Sequence, residues 1–113
     1  MFADWKNDVA HVKKSFGALG KKYPKMLQAY GALGAAAEGN VLDAKTRELI
    51  ALAVAVTTRC ESCIGVHADE AVKAGATEEE VAAALAMSIA LNAGAAYTYS
   101  LRALEAYNAQ KGE

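Results

Sequence analysis

Proline, tryptophan, net charge and long apolar runs are all scarce in this sequence of 113 residues. Pro24 is its one proline and Trp5 its one tryptophan. One proline beside 27 alanines favours helices and argues against a β-sandwich or barrel. Twelve Lys and Arg face 13 Asp and Glu, for a net charge of −1. With 54% apolar residues, so small a net charge excludes disorder. The basic cluster Lys13, Lys14, Lys21, Lys22 and Lys25 carries no interleaved aromatic pattern. It reads as a solvated helix face, and no nucleic-acid partner is expected. The longest apolar runs, Leu49–Val56 and Val81–Ala90 (broken by Ser88), are too short for a membrane span. The opening MFADWKNDVA has no apolar targeting core. A soluble cytoplasmic protein is therefore the expectation.

Apolar content, in contrast, is in surplus. The 54% exceeds the roughly 45–50% typical of soluble domains, while a chain this short buries only about two-thirds of its unfolded surface. The surplus needs a place to go, and a homo-oligomeric interface is the expected one. No linker or repeat divides residues 1–113, so one domain is expected.

The punctuation marks an all-α array of about six helices. Trp5, Val9, Val12 and Phe16 recur at helical spacing in a first helix over about Asp4–Leu19. Pro24 suits the first turn of a second, ending near Gly39 and Asn40. Asp43 is the expected N-cap of a third, whose body LIALAVAV is apolar all round and should be buried on every side. A fourth opens near Cys60 and stops at Gly75. Thr77 with Glu80 forms a capping box for a fifth. A sixth, roughly Tyr97–Asn108, is expected after a break near Asn92–Gly94. Tyr97, Tyr99 and Tyr107 are expected to pack in a core or an interface.

The only two cysteines sit as Cys60-Glu61-Ser62-Cys63, with His67 four residues on. On a helix these three share one stripe. In a cytoplasmic protein a close cysteine pair points to redox, catalytic or metal chemistry rather than to a structural disulfide. A helix N-terminus and a nearby imidazole both favour the nucleophilic thiolate. The first argument favours Cys60 as the stronger nucleophile and the second favours Cys63, and spacing alone does not decide between them. If the third and fourth helices fold back antiparallel, a rise of about 1.5 Å per residue puts Glu48 roughly 15 Å and His67 roughly 10 Å from the turn. A chain Glu48–His67–Cys63 is then geometrically reasonable, with the carboxylate orienting an imidazole that activates a thiol. Zinc is a rival, since Cys60, Cys63, His67 and Glu48 are four possible ligands; but three from one helical stripe surround an ion poorly.

Glu48, eleven residues, then Cys60-x-x-Cys63-x-x-x-His67, set in LDAKTRELIALAVAVTTRCESCIGVHADEAVKAGATEEEVAAAL, resembles the alkylhydroperoxidase D-like core of the carboxymuconolactone decarboxylase family. The resemblance extends over about residues 23–108. It implies an all-α fold, obligate homo-oligomers (often trimers or hexamers) and thiol-dependent peroxidase or disulfide-reductase chemistry. Carried onto this sequence, Cys63 is the peroxide-reducing thiol, His67 its activator with Glu48 behind it, and Cys60 the resolving thiol. Ser62 departs from the best-studied branch, which has a histidine just before the second cysteine.

The expected function is a hydroperoxide reductase that takes a hydroperoxide and a dithiol or protein reductant as partners and needs no metal, flavin or haem. The alternatives are a decarboxylase-type enzyme using His67 and Glu48 as acid and base, and a non-enzymatic zinc-stabilised oligomeric module. The spacing also leads us to expect Cys60 and Cys63 to join as an intramolecular disulfide on mild oxidation.

Overall fold

The structure, a computed structural model, describes residues 2–112. The described residues form five helices and no strand: α1 (Trp5–Lys22), α2 (Pro24–Glu38), α3 (Ala44–Thr58), α4 (Glu61–Lys73) and α5 (Glu78–Lys111). The fold is all-α, close to the expected array of six.

Local chemistry sets most boundaries. Pro24 opens α2, where its missing N–H leaves no bond unmade. The Asp43 carboxylate caps α3 by accepting the Thr46 N–H at 2.8 Å. Gly75, at φ 82°, lies in the left-handed region beyond the end of α4, and the Ala76 N–H closes back on the Ala71 carbonyl at 3.0 Å. At α5 the capping box is complete: the Glu80 N–H donates to Thr77 Oγ1 at 3.1 Å and the Thr77 N–H to Glu80 Oε1 at 2.9 Å.

α5 corrects the sequence reading. The break expected near Asn92–Gly94 does not occur, and the fifth and sixth helices are one. Asn92 donates its side-chain amide to the Ser88 carbonyl at 2.7 Å, a bond made along the helix rather than at a cap. Gly94 costs about 1 kcal/mol against alanine, which the alanine-rich surroundings offset. The continuous α5 is also long and apolar enough to cross a membrane by length and composition. Ser88, Asn92 and Thr98 interrupt its apolar runs without making the helix polar.

α3 is the centre of the array. α4 returns antiparallel along it, the first half of α5 packs on it, α1 lies on α4, and α2 lies on α1. Among the described residues the buried positions are small or single: Gly20 on α1, Leu52 and Ala55 on α3, Gly65 and Ala71 on α4, Ser88 on α5. The Ser88 hydroxyl donates to the Ala53 carbonyl at 2.8 Å and ties α5 to α3. Gly65 lets α1 approach closely, since a Cβ there would stand 2.9 Å from Val9 Cγ2 and 3.5 Å from the Trp5 ring.

The expectation that LIALAVAV is buried on every side fails within the single chain. Ile50 is 48% and Val54 53% exposed, because α4 and α5 cover two flanks of α3 and leave the others open. Tyr97, Tyr99 and Tyr107 are exposed as well, and so lie outside any core of this chain. The radius of gyration is 18.8 Å, against about 13 Å for a compact domain of this length. The accessible surface is 9066 Å², against about 5,900 Å² for a compact monomer of this mass.

The capping box gives a stability prediction. Thr77→Ala is expected to cost about 1 kcal/mol in urea unfolding at pH 7 and fixed protein concentration. Lys45 Nζ, 2.9 Å from Glu80, and the Thr77 N–H hold the Glu80 carboxyl below its ordinary value of 4.5. A depressed acid stabilises above its unfolded value and ceases to as pH falls through its folded one. The wild type's advantage over Glu80→Gln should therefore be full at neutral pH and vanish in acid. Equal stability of the two proteins at neutral pH would contradict this.

Candidate active site

Arg59 and Cys60 are the entire link between α3 and α4. Arg59 takes the left-handed conformation at φ 54° and ψ 44°, where glycine is usual. The turn sends the Cys60 N–H back onto the Ala55 carbonyl at 3.1 Å. The Cys60 carbonyl accepts the Ile64 N–H at 3.0 Å, and Cys60 Sγ accepts the Cys63 N–H at 3.3 Å. Cys60 thus closes one helix and caps the next. Its sulfur sits where serine or aspartate commonly stands, at the positive end of α4.

Cys60 and Cys63 are joined by a disulfide, with 5.2 Å between their Cα atoms. Both are half-buried. Ser62 Oγ lies 3.5 Å from Cys60 Sγ. Ser62, which a sequence reading notices only as a departure from a family pattern, is in contact with the reactive group.

On the same side, α4 brings His67 against Glu48 of α3. The distance from His67 Nδ1 to Glu48 Oε2 is 2.6 Å, with side-chain exposures of 38% and 19%. A carboxylate only accepts, so Nδ1 carries the hydrogen, and a neutral imidazole leaves the Nε2 lone pair free. The antiparallel return brings together two residues nineteen apart in the chain. Among the described residues no hydrogen bond joins His67 to either sulfur. His67 and Cys63 are linked by position, one turn apart on the same helix.

A cavity of about 500 Å³ opens beside this pair. Tyr30 and Leu33 of α2, Leu42, and Ile50 and Ala51 of α3 give it an apolar wall; Arg47, Glu48 and His67 give it a polar one. Neither cysteine lines it. Arg47 Nη1 donates to the Leu42 carbonyl at 2.6 Å, which fixes the guanidinium at the cavity's edge. Nothing in the sequence singles out Arg47, a lone arginine in the first turn of a helix. Among the described residues no three Cys, His, Asp or Glu side chains converge to hold a metal ion.

Comparison with known proteins follows the same residues. The model of the carboxymuconolactone decarboxylase family matches residues 23–106. An uncharacterised protein of Haemophilus influenzae is 84% identical over 112 residues, 98% of this chain and 99% of that protein. An uncharacterised protein of Cupriavidus necator is 34% identical over 110 residues, 96% of this chain and 97% of that one. Among solved structures, the apo form of a carboxymuconolactone decarboxylase family protein from Legionella pneumophila superposes with a TM-score of 0.74. It is 33% identical, and the alignment covers 92% of this chain and 94% of that one. The matched segment takes in Glu48, both cysteines and His67, and the all-helical architecture agrees with it: the chain belongs to the carboxymuconolactone decarboxylase family.

Proposed function

We propose that the protein is a thiol-dependent hydroperoxide reductase. The observation that carries this reading is the Cys60–Cys63 disulfide at the start of α4, one turn from an imidazole already held by Glu48. In the reduced protein Cys63 is the attacking thiol. His67 Nε2 takes its proton, directly or through one water, and Glu48 supports the imidazolium that results. The thiolate attacks the terminal oxygen of a hydroperoxide, the O–O bond breaks, and the leaving alkoxide takes the proton back as an alcohol. The sulfur, oxidised by two electrons, is then a sulfenic acid. The Cys60 thiol attacks it, water leaves, and the disulfide forms. An external dithiol or protein reductant restores both thiols by exchange and is itself oxidised to a disulfide.

Cys60 has its own support in this cycle. The Cys63 N–H and the helix end stabilise negative charge on its sulfur. In the dithiol form the Ser62 hydroxyl donates to the same sulfur, across the 3.5 Å that separates them in the disulfide. A thiolate so stabilised is a good leaving group when the reductant attacks Cys63; when the reductant attacks Cys60 instead, Cys63 leaves as the thiolate.

The cavity favours a second reading. Glu48 and His67 line it and the cysteines do not, which suits acid–base decarboxylation of a lactone-type acid, the chemistry in the family's name. Such an activity would survive loss of both thiols.

Peroxide consumption with dithiothreitol tests the two readings. Wild type should turn over, and Cys63→Ser should lose at least 100-fold. Cys60→Ser should still form one sulfenic acid per chain, trapped on Cys63 by dimedone. Turnover undiminished in Cys63→Ser would remove the thiol mechanism.

Labelling by iodoacetamide across pH, with peptide mapping, tests the supporting residues. His67→Ala should slow Cys63 alkylation near neutral pH roughly tenfold, and Glu48→Gln less. Ser62→Ala should shift the Cys60 profile to higher pH and leave that of Cys63 nearly in place. An unchanged Cys63 profile in His67→Ala would make His67 a structural residue only.

A further inference from the structure

A guanidinium at the start of α3 has no acid to pair with. Arg47 is half-buried in the first turn of that helix. A cation there opposes the helix dipole, so the arginine does not serve the helix. Its Nη1 donates to the Leu42 carbonyl at 2.6 Å. Among the described residues no carboxylate lies within ion-pair distance of it. The neighbouring acids are engaged elsewhere: Asp43 accepts the Thr46 N–H, Glu48 accepts from His67 Nδ1, and Glu80 pairs with Lys45. The other N–H groups of Arg47 are left for an outside anion, and a carboxylate is the shape that a guanidinium fork fits.

Arg47 borders the cavity of about 500 Å³ beside Glu48 and His67, a volume in the range of small-molecule sites. Tyr30, Leu33, Leu42 and Ile50 supply its apolar wall, and all four are exposed within the chain. Tyr30, Leu33 and Ala37 follow at spacings of three and four along α2, one face over roughly 10 Å. His67 lines the same space and stands one turn from Cys63. An unpaired cation, an apolar wall and the imidazole next to the reactive thiol therefore meet around one cavity.

We propose that this cavity selects hydroperoxides that carry a carboxylate at the far end of an apolar body. The proposal rests on the thiol-dependent function above and names its substrate class. The carboxylate pairs with Arg47, the body lies along Tyr30, Leu33 and Ile50, and the peroxide end passes His67 to reach Cys63. The carboxylate takes no part in the reaction: the O–O bond breaks at the Cys63 thiolate, and the organic part leaves as a hydroxy acid. Beside an apolar wall the ion pair is screened less than in open water.

Glu38 and Glu48 also border the cavity, and they set the competing expectation, a site for a cation. Glu48 is committed to His67 through Oε2. Glu38 is exposed at the end of α2, and among the described residues nothing bonds to its side chain. Arg47 is held at the cavity by the Leu42 carbonyl, whereas Glu38 is free to turn to solvent. The positioned charge is the positive one.

Matched peroxides test this in the full chain. Cumene hydroperoxide and its para-carboxylate share one reacting group and one ring and differ in the anion alone. With dithiothreitol as reductant, wild type should favour the carboxylate by about tenfold in kcat/KM. Arg47→Gln should bring the two substrates close to parity, and Arg47→Lys should keep part of the preference. Because the readout is a ratio, a general loss of activity or of folded protein cancels. Calorimetry gives a second readout free of thiol chemistry. The product analogue para-carboxycumyl alcohol should bind the disulfide form of wild type, and bind Arg47→Gln about tenfold more weakly. No preference in wild type, a preference unchanged in Arg47→Gln, or tighter binding of the para-aminomethyl alcohol than of the carboxylate would each overturn the proposal. Turnover of neither peroxide, with the carboxylate alcohol still held through Arg47, would bring down the thiol-dependent function and leave Arg47 as an anion contact. Turnover of both at equal efficiency would bring down the substrate class and leave the function standing.

Discussion

The site depends on a turn of two residues. Because Arg59 adopts a left-handed backbone conformation, α3 ends and α4 begins without a loop, and the two helices return along each other. The geometry of the candidate site follows from that return. It fixes Cys60 at a helix start, sets Cys63 one turn further, and carries His67 to the level of Glu48. A longer connection would let α4 slide or rotate on α3. One turn of slip, about 5.4 Å, would break the 2.6 Å contact between Glu48 and His67. A non-glycine residue in this conformation stores a modest strain, and such strain persists only where the surroundings hold it. Here the Ala55 carbonyl on one side and the Cys63 N–H on the other provide the hold.

The pair α3–α4 is also where burial is concentrated. Among the described residues, Leu52, Ala55 and Ala71 are the buried hydrophobic ones, and no large side chain is fully enclosed. Alanine and glycine contribute little transfer free energy apiece, but they let helix axes approach closely. The alanine-rich composition therefore secures geometry more than it secures stability. That division explains a chain whose reactive corner is well defined while α2 and half of α5 lie open to solvent.

What could be read in the sequence was whatever short-range chemistry determines. Asp43, the Thr77–Glu80 box, Gly75 and Pro24 mark helix ends because caps act over three or four residues. The neighbourhood of Glu48 and His67 was legible through one further step, the rise per residue on either side of a short turn. The continuity of α5 was not, because Asn92 and Gly94 are turn formers by type, and only the helix itself, through the Asn92 bond to Ser88, decides otherwise. Nor was the exposure of Ile50 and Val54 legible, since periodicity tells how many faces of a helix are apolar and not how many neighbours one chain supplies. The cavity at Glu48 and His67 escaped for a related reason: its walls come from α2 and α3, whose relative placement no motif encodes.

Cys60 carries two roles that constrain each other. As an N-cap its sulfur must stay near the first turn of α4; in the proposed redox cycle it must also reach Cys63. The same position satisfies both, because the N–H it accepts belongs to Cys63 itself, the residue three along in a capping arrangement. In the disulfide form the cap and the bond are thus made at one place, and the proposed cycle needs no second position for Cys60. His67 lies on the second turn of α4, held against α3 by Glu48. The imidazole is thus positioned by a contact in which neither sulfur takes part. In the proposed mechanism, a base anchored through a separate helix contact does not depend on the sulfurs for its position, which suits a recurring two-thiol reaction.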